Sequence, residues 1–132
     1  MRGFLLAACV ALSLGTTGAF AQDGKVDDAT LKLGQRVFLL CRACHTVGKD
    51  EGNKIGPNLY GVFGSKAGSK PNFRYSDALV RSGVVWNDQT LDKWLTNPTA
   101  FIPGTRMPFA GVHDEEERKA VIAYLKHETS GQ

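Results

Sequence analysis

Two cysteines and a histidine stand together in the run CRACHTVG, Cys41 to Gly48. Two residues separate the thiols, and the imidazole follows directly after the second. Three chemistries use such a trio. A structural zinc site takes four ligands, usually as two separated pairs, and this stretch supplies one pair. The other histidines, His113 and His127, are fourteen residues apart, and the second falls at a charged helix end. A thiol–disulfide couple belongs at a strand-to-helix turn in an α/β domain, but the residues before Cys41 read as helix. Covalent haem is the third chemistry, because Cys-x-x-Cys-His is the attachment sequence for c-type haem. Sulfurs at this spacing reach neighbouring vinyl groups on one porphyrin edge, and the next residue aims its imidazole at the iron. The pattern favours haem over a chance cluster on a surface helix.

Iron bound by His45 has a sixth position, and its occupant separates a catalyst from a carrier. An open position binds oxygen, peroxide or another small ligand, whereas a second strong ligand leaves only electron transfer. Apart from Met1, the chain has one methionine, Met107, in the run PGTRMPFAG. Methionine ordinarily fills gaps in a core, and a constrained polar loop suits that use poorly. Met107 is therefore the candidate iron ligand, with His113 as runner-up.

The elements that must position these residues read as helices joined by long loops, with no convincing strand and no internal repeat. A first helix is expected over Asp28 to Leu40, capped by Asp27 or Asp28, with Leu33, Val37 and Leu40 at helical spacing. Gly34 inside it costs about 1 kcal/mol against alanine, which implies a close approach by another backbone. Six glycines and two prolines between Val47 and Asn72 mark a long loop, suspect unless it wraps something. SDALVRSG reads as a short helix capped by Ser76 and stopped at Gly83. NDQTLDKWLTN is another, capped by Asn87 or Asp88 and ended before Pro98, with Leu91, Trp94 and Leu95 on one face. PTAFIPGTRMPFAG is a second loop. The last helix, DEEERKAVIAYLKHE, has acids in its first turn and Lys126 and His127 in its last, as the helix dipole favours. Helices so spaced bury little against one another, so an apolar group at the centre is expected.

The chain has 132 residues, the length of one compact domain. It opens MRGFLLAACVALSLGTTGAFA, with basic Arg2, an apolar run from Phe4 to Leu14 and the small-x-small ending Ala19-Phe20-Ala21. This reads as a secretory signal peptide over 1–21, cleaved after Ala21, with one domain over 22–132. A membrane anchor needs about 20 apolar residues, and Gly15-Thr16-Thr17-Gly18 interrupts this run. A lipoprotein cut before Cys9 would leave almost no apolar segment ahead of it. Export points to an oxidising compartment, a bacterial periplasm. It also removes Cys9, so no disulfide framework can span the domain. Without Arg2, fifteen basic side chains face thirteen acidic ones, too even for a nucleic-acid binder. Residues 49–81 carry six basics against three acids, and residues 113–132 carry five acids against three basics. Such a dipole can orient a charged partner.

Beyond the attachment sequence, the runs GPNLYGVFG, FRYSDAL, VVW, TLDKWLTNP, FIPGTRMPFAG and VIAYLK follow in order. In these runs the chain resembles the class I c-type cytochromes, the mitochondrial ones and their bacterial relatives, over nearly all of 22–132. The resemblance implies an all-α fold with terminal helices crossed and long loops wrapped around one covalent haem c. It implies that Cys41 and Cys44 carry the haem and that His45 and Met107 are the axial ligands. The Pro57 carbonyl would accept the other imidazole proton. Tyr75, Trp86 and Thr105 would lie at a haem propionate, Phe109 would cover the haem edge, and Gly34 and Phe38 would meet Tyr124. Several positions depart from the family pattern. Ser65 stands where many relatives have arginine, Leu79 where they have asparagine, and Trp94 where they have tyrosine. Leu40, Thr99 and Ala100 fill positions of a lysine ring that Arg106 partly keeps. The implied activity is one-electron transfer without catalysis. Its partners would be redox proteins such as membrane oxidase or reductase complexes and periplasmic dehydrogenases. The carrier would be a monomer with no nucleic acid and no stable membrane insertion. The alternative is a small haem peroxidase or ligand sensor from which Met107 dissociates.

Overall fold

The computed structural model describes residues 26–130, so the expected signal segment lies outside the described residues. Five helices follow one another: α1 (Asp28–Arg42), α2 (Asp77–Arg81), α3 (Asp88–Thr96), α4 (Pro98–Phe101) and α5 (Glu115–Thr129). The all-α expectation holds. Where no strand was expected, the described residues contain a single isolated antiparallel bridge between Lys66 and Val85. No helix among them is long and apolar enough to cross a membrane.

Helix starts follow the side chains that can satisfy free N–H groups. Asp27, rather than Asp28, caps α1 and accepts from the Thr30 N–H at 2.9 Å. Ser76 caps α2, and Asp114 caps α5. Asn87 caps α3 through a reciprocal box with Thr90. Helix α1 runs two residues past the expected end, because Cys41 and Arg42 continue its turn. Helix α4 was read as loop; Asn97 accepts from the Ala100 N–H and Pro98 occupies the first turn. Proline there gives up no helix hydrogen bond.

Helices α1 and α5 pack across each other at Gly34. A Cβ on Gly34 would overlap the Ala120 carbonyl and come within 2.6 Å of the Tyr124 Cβ. The missing side chain lets the two backbones touch, and Phe38 packs at a tilt on Tyr124 with ring centroids 5.5 Å apart. Val37, Phe38, Val121, Ile122 and Leu125 form the buried seam. Leu91, Trp94 and Leu95 of α3 are all buried, as their spacing implied.

The long loop between α1 and α2 is ordered by side chains that replace secondary structure. The Asn58 amide donates to the Thr46 hydroxyl and to the Gly48 and Glu51 carbonyls. Its own oxygen accepts from the Tyr60 N–H. Glu51 accepts from the N–H groups of Val47 and Gly48. These bonds satisfy backbone groups that a loop would otherwise leave to water.

Candidate functional site

The loops and α1 enclose a cavity of about 520 Å³. All nine residues singled out from the sequence line it: Cys41, Cys44, His45, Pro57, Tyr75, Trp86, Thr105, Met107 and Phe109. His113, the runner-up ligand, does not line it and is exposed. Among the described residues, no cluster of three or more His, Cys, Asp or Glu side chains could hold a metal ion. The zinc reading therefore has no second half.

Cys41 sits in the last turn of α1 and Cys44 just beyond it, both half-buried. The N–H groups of Cys44 and His45 both donate to the Cys41 carbonyl, at 3.0 and 2.9 Å, which carries the helix end into a tight turn. Burial first, and the neighbouring Cys44 second, push the Cys41 thiol up to about 11. Redox dithiols depend on a lowered thiol pKa, so Cys41 is poorly suited to exchange.

The imidazole of His45 is fixed from two sides. Its Nδ1 lies 2.8 Å from the Pro57 carbonyl oxygen and donates to it. Its ring rests on Gly56, where an added Cβ would come within 2.7 Å of Nδ1 and 2.8 Å of Nε2. The Gly56 N–H donates to the Cys44 carbonyl at 2.8 Å, which ties this support to the cysteine turn. Burial lowers the His45 pKa, the Pro57 bond opposes that, and Lys54 adds to the lowering. A neutral ring with one nitrogen already donating leaves the other as a lone-pair donor.

Met107 reaches the same cavity from the loop after α4. Its N–H is held at 3.3 Å by the Thr105 hydroxyl oxygen, and its carbonyl accepts from the Phe109 N–H at 3.0 Å. The Val112 N–H donates to the Leu95 carbonyl at 2.7 Å and pins the loop to α3. Trp86 and Trp94 pack at a tilt behind it, ring centroids 5.4 Å apart.

The lining chemistry fits haem on two counts. Its walls are largely apolar, with Leu59, Val62, Leu79 and Leu91 among them. Its charged lining residues are Lys66, Lys70, Arg74 and Arg106, with no acid. A porphyrin bearing carboxylates needs both. Among the described residues, neither the Tyr75 hydroxyl nor the Trp86 indole N–H donates to a protein acceptor, so both remain available to such a carboxylate. Ser65 also lines the cavity, but its hydroxyl donates to the Val62 carbonyl at 2.7 Å.

The family model described as Cytochrome c matches residues 31–129. The chain belongs to the cytochrome c family. Cytochrome c from Gibberella zeae is 48% identical over 100 residues, covering 75% of this chain and 94% of that one. Cytochrome c2 from Rhodomicrobium vannielii is 49% identical over 92 residues, covering 70% and 74%. The structure of cytochrome cH from Methylobacterium extorquens superposes with a TM-score of 0.69 at 41% identity, over 74% of this chain and 97% of that one. This cytochrome is a class I member that carries one covalently bound haem c, and Cys41, Cys44 and His45 supply the family's attachment motif. It is an electron carrier and not an enzyme.

Sequence reasoning missed two contributors to this site. Gly56 was one of six loop glycines with nothing to mark it as the one beneath the imidazole. Lys70 was one of six basic residues in 49–81, and only the fold turns it toward the cavity.

Proposed function

We propose that the chain is a periplasmic one-electron carrier with haem held through thioethers from Cys41 and Cys44 and ligated by His45 and Met107. The observation that carries this reading is the convergence of those four side chains on one cavity from two distant parts of the chain. The haem supplies an Fe(III)/Fe(II) couple that takes up and gives back one electron. The chain's own residues set its terms. The Pro57 carbonyl accepts a hydrogen bond from the His45 Nδ1–H, which orients the ring and makes the other nitrogen a stronger donor. Met107 would hold the iron from the other side and keep substrates away from it. A thioether ligand also raises the potential, which suits delivery to an oxidant such as a terminal oxidase. Tyr75, Trp86 and Thr105 would hydrogen-bond a haem carboxylate, and Phe109 would shield the edge beside Met107.

Donor and acceptor proteins would dock where Leu40 and Ile55, both lining residues, are 63% and 77% exposed. Such partners are membrane oxidase or reductase complexes and periplasmic dehydrogenases, met by a monomer. The apolar segment at 1–21 and its Ala19-Phe20-Ala21 ending support export. Sequencing the N-terminus of the exported protein tests that, with Gln22 expected first.

The optical spectrum of the oxidised protein at neutral pH tests the ligand set. The weak sulfur-to-iron band near the red end is expected in the wild type and lost in Met107→Ala, which then binds carbon monoxide when reduced. A wild type that lacks the band and takes up carbon monoxide readily would overturn the carrier in favour of a peroxidase or ligand sensor.

A further inference from the structure

We infer that Lys70 is the cation that pairs with a haem carboxylate in this cytochrome and so sets the reduction potential. Of the four cationic residues lining the cavity, Lys66, Arg74 and Arg106 are exposed, and Lys70 alone is partly buried. The Lys70 ammonium donates to the Tyr60 carbonyl and lies 3.5 Å from where a Cβ on Gly61 would be. An ammonium has three donors, so that bond leaves two. The Lys70 backbone lies beside the Tyr75 phenol, so the two residues share one corner of the cavity.

That corner needs a positive charge. A carboxylate in an apolar cavity is costly unless it is paired or hydrogen-bonded. Tyr75, Trp86 and Thr105 bring neutral donors only. Ser65, which also lines the cavity, spends its hydroxyl on Val62 and brings no charge. Lys70 is the group positioned to complete the set.

The electrostatic sign is fixed. A nearby cation favours Fe(II), the state with one positive charge fewer, so Lys70 raises the potential. Without it the carboxylate charge is uncompensated and its proton affinity rises, so the potential should acquire a pH dependence. Lys70 acts through the carboxylate and is a positioning residue. The inference rests on the carboxylate placement proposed above.

Redox titrations of the haem-loaded full chain across pH 5 to 9 test it. Lys70→Gln should lower the reduction equilibrium constant about three- to tenfold, roughly 30–60 mV for one electron, and tilt the potential with pH. Lys70→Arg should restore both. Lys66→Gln, at an exposed lining cation, should shift the potential much less. Coincidence of Lys70→Gln with wild type in potential and pH profile would overturn the inference, as would an equal shift in Lys66→Gln. A measurement on the wild type needs no variant to fold. The Lys70 ammonium, followed by NMR in the loaded protein, should titrate at or above its ordinary 10.5 if paired, whereas burial alone holds it below. A value below 10.5 would count against the pair. The red sulfur-to-iron band, recorded on the same samples, reports separately on Met107, so failure of the ligand set and failure of Lys70 are distinguishable.

Discussion

Gly56→Ala tests whether the His45 imidazole is held by shape as well as by its hydrogen bond. The added Cβ would sit 2.7 Å from Nδ1 and 2.8 Å from Nε2, and nearer still to Cε1. Comfortable contact between such atoms is about 3.5 Å or more, so ring or loop must retreat by about 1 Å. The Gly56 backbone cannot move freely, because its N–H is bonded to the Cys44 carbonyl at 2.8 Å. The ring therefore moves, and the 2.8 Å bond to Pro57 lengthens beyond hydrogen-bond range. Losing that bond and leaving its partners poorly satisfied costs about 1–3 kcal/mol. Disturbing a ligand's supporting hydrogen bond weakens metal ligation by about 10–100-fold, a consistent scale. Denaturant unfolding of the haem-loaded protein, followed through the haem absorption, should show this loss together with weakened axial ligation at neutral pH. Gly52→Ala is the control, since nothing lies within 4 Å of a Cβ there. Equal stability and equal spectra in Gly56→Ala and wild type would refute the idea that Gly56 cradles the ring.

Gly34→Ala should destabilise the protein by about 1–3 kcal/mol, the usual cost of overpacking, despite alanine's better helix propensity, because the Cβ meets backbone of α5 that cannot turn aside. A thermal midpoint at or above wild type would disprove the close crossing. The Asp27 cap should give an acid-sensitive contribution. Hydrogen bonds from the Thr30 hydroxyl and then its N–H hold the carboxyl below its usual 3.8. A depressed acid stabilises above its unfolded pKa, so the contribution is present above pH 3.8 and lost as pH falls through the lower folded value. Asp27→Asn, which keeps a cap acceptor, should flatten this part of the acid-unfolding curve measured by circular dichroism; an unchanged curve would exclude it.

The covalent attachment site was legible because its residues are adjacent, so chain spacing alone carries the chemistry. Gly34 was legible because glycine opposes its own helix and demands a reason. Met107 drew attention by scarcity in a proline-bounded loop, and it lines the cavity while packing against the core. Helix α4 was not, because Asn97-Pro98 signals a helix start and a turn equally well, and four residues show no periodicity. The end of α1 was placed two residues early because the apolar spacing stops at Leu40, whereas the helical hydrogen bonds run on through Cys41. Gly56 and Lys70 depend on which loop segment folds over which, and local sequence carries no trace of that.

None of the α5 side chains lines the cavity, yet α5 sets the geometry of the two candidate ligands. On one side it abuts α1 at Gly34, and α1 ends in the turn that carries His45. On the other, Arg118 donates to the Val112 carbonyl at 3.0 Å and to Asp92 of α3 at 2.6 Å. Those bonds lock the segment just after Met107 against α3. Arg118 is nearly buried while Asp92 is part-exposed, and ion pairs of that kind specify position more surely than they add net stability. A one-electron carrier benefits from such an arrangement. Each turnover changes the charge at the iron, and ligands free to relax differently in the two states would add that rearrangement to the barrier every time. Holding both candidate ligand segments against one helix would keep the coordination geometry nearly constant, so a helix that does not line the cavity would still lower the rearrangement each electron transfer demands.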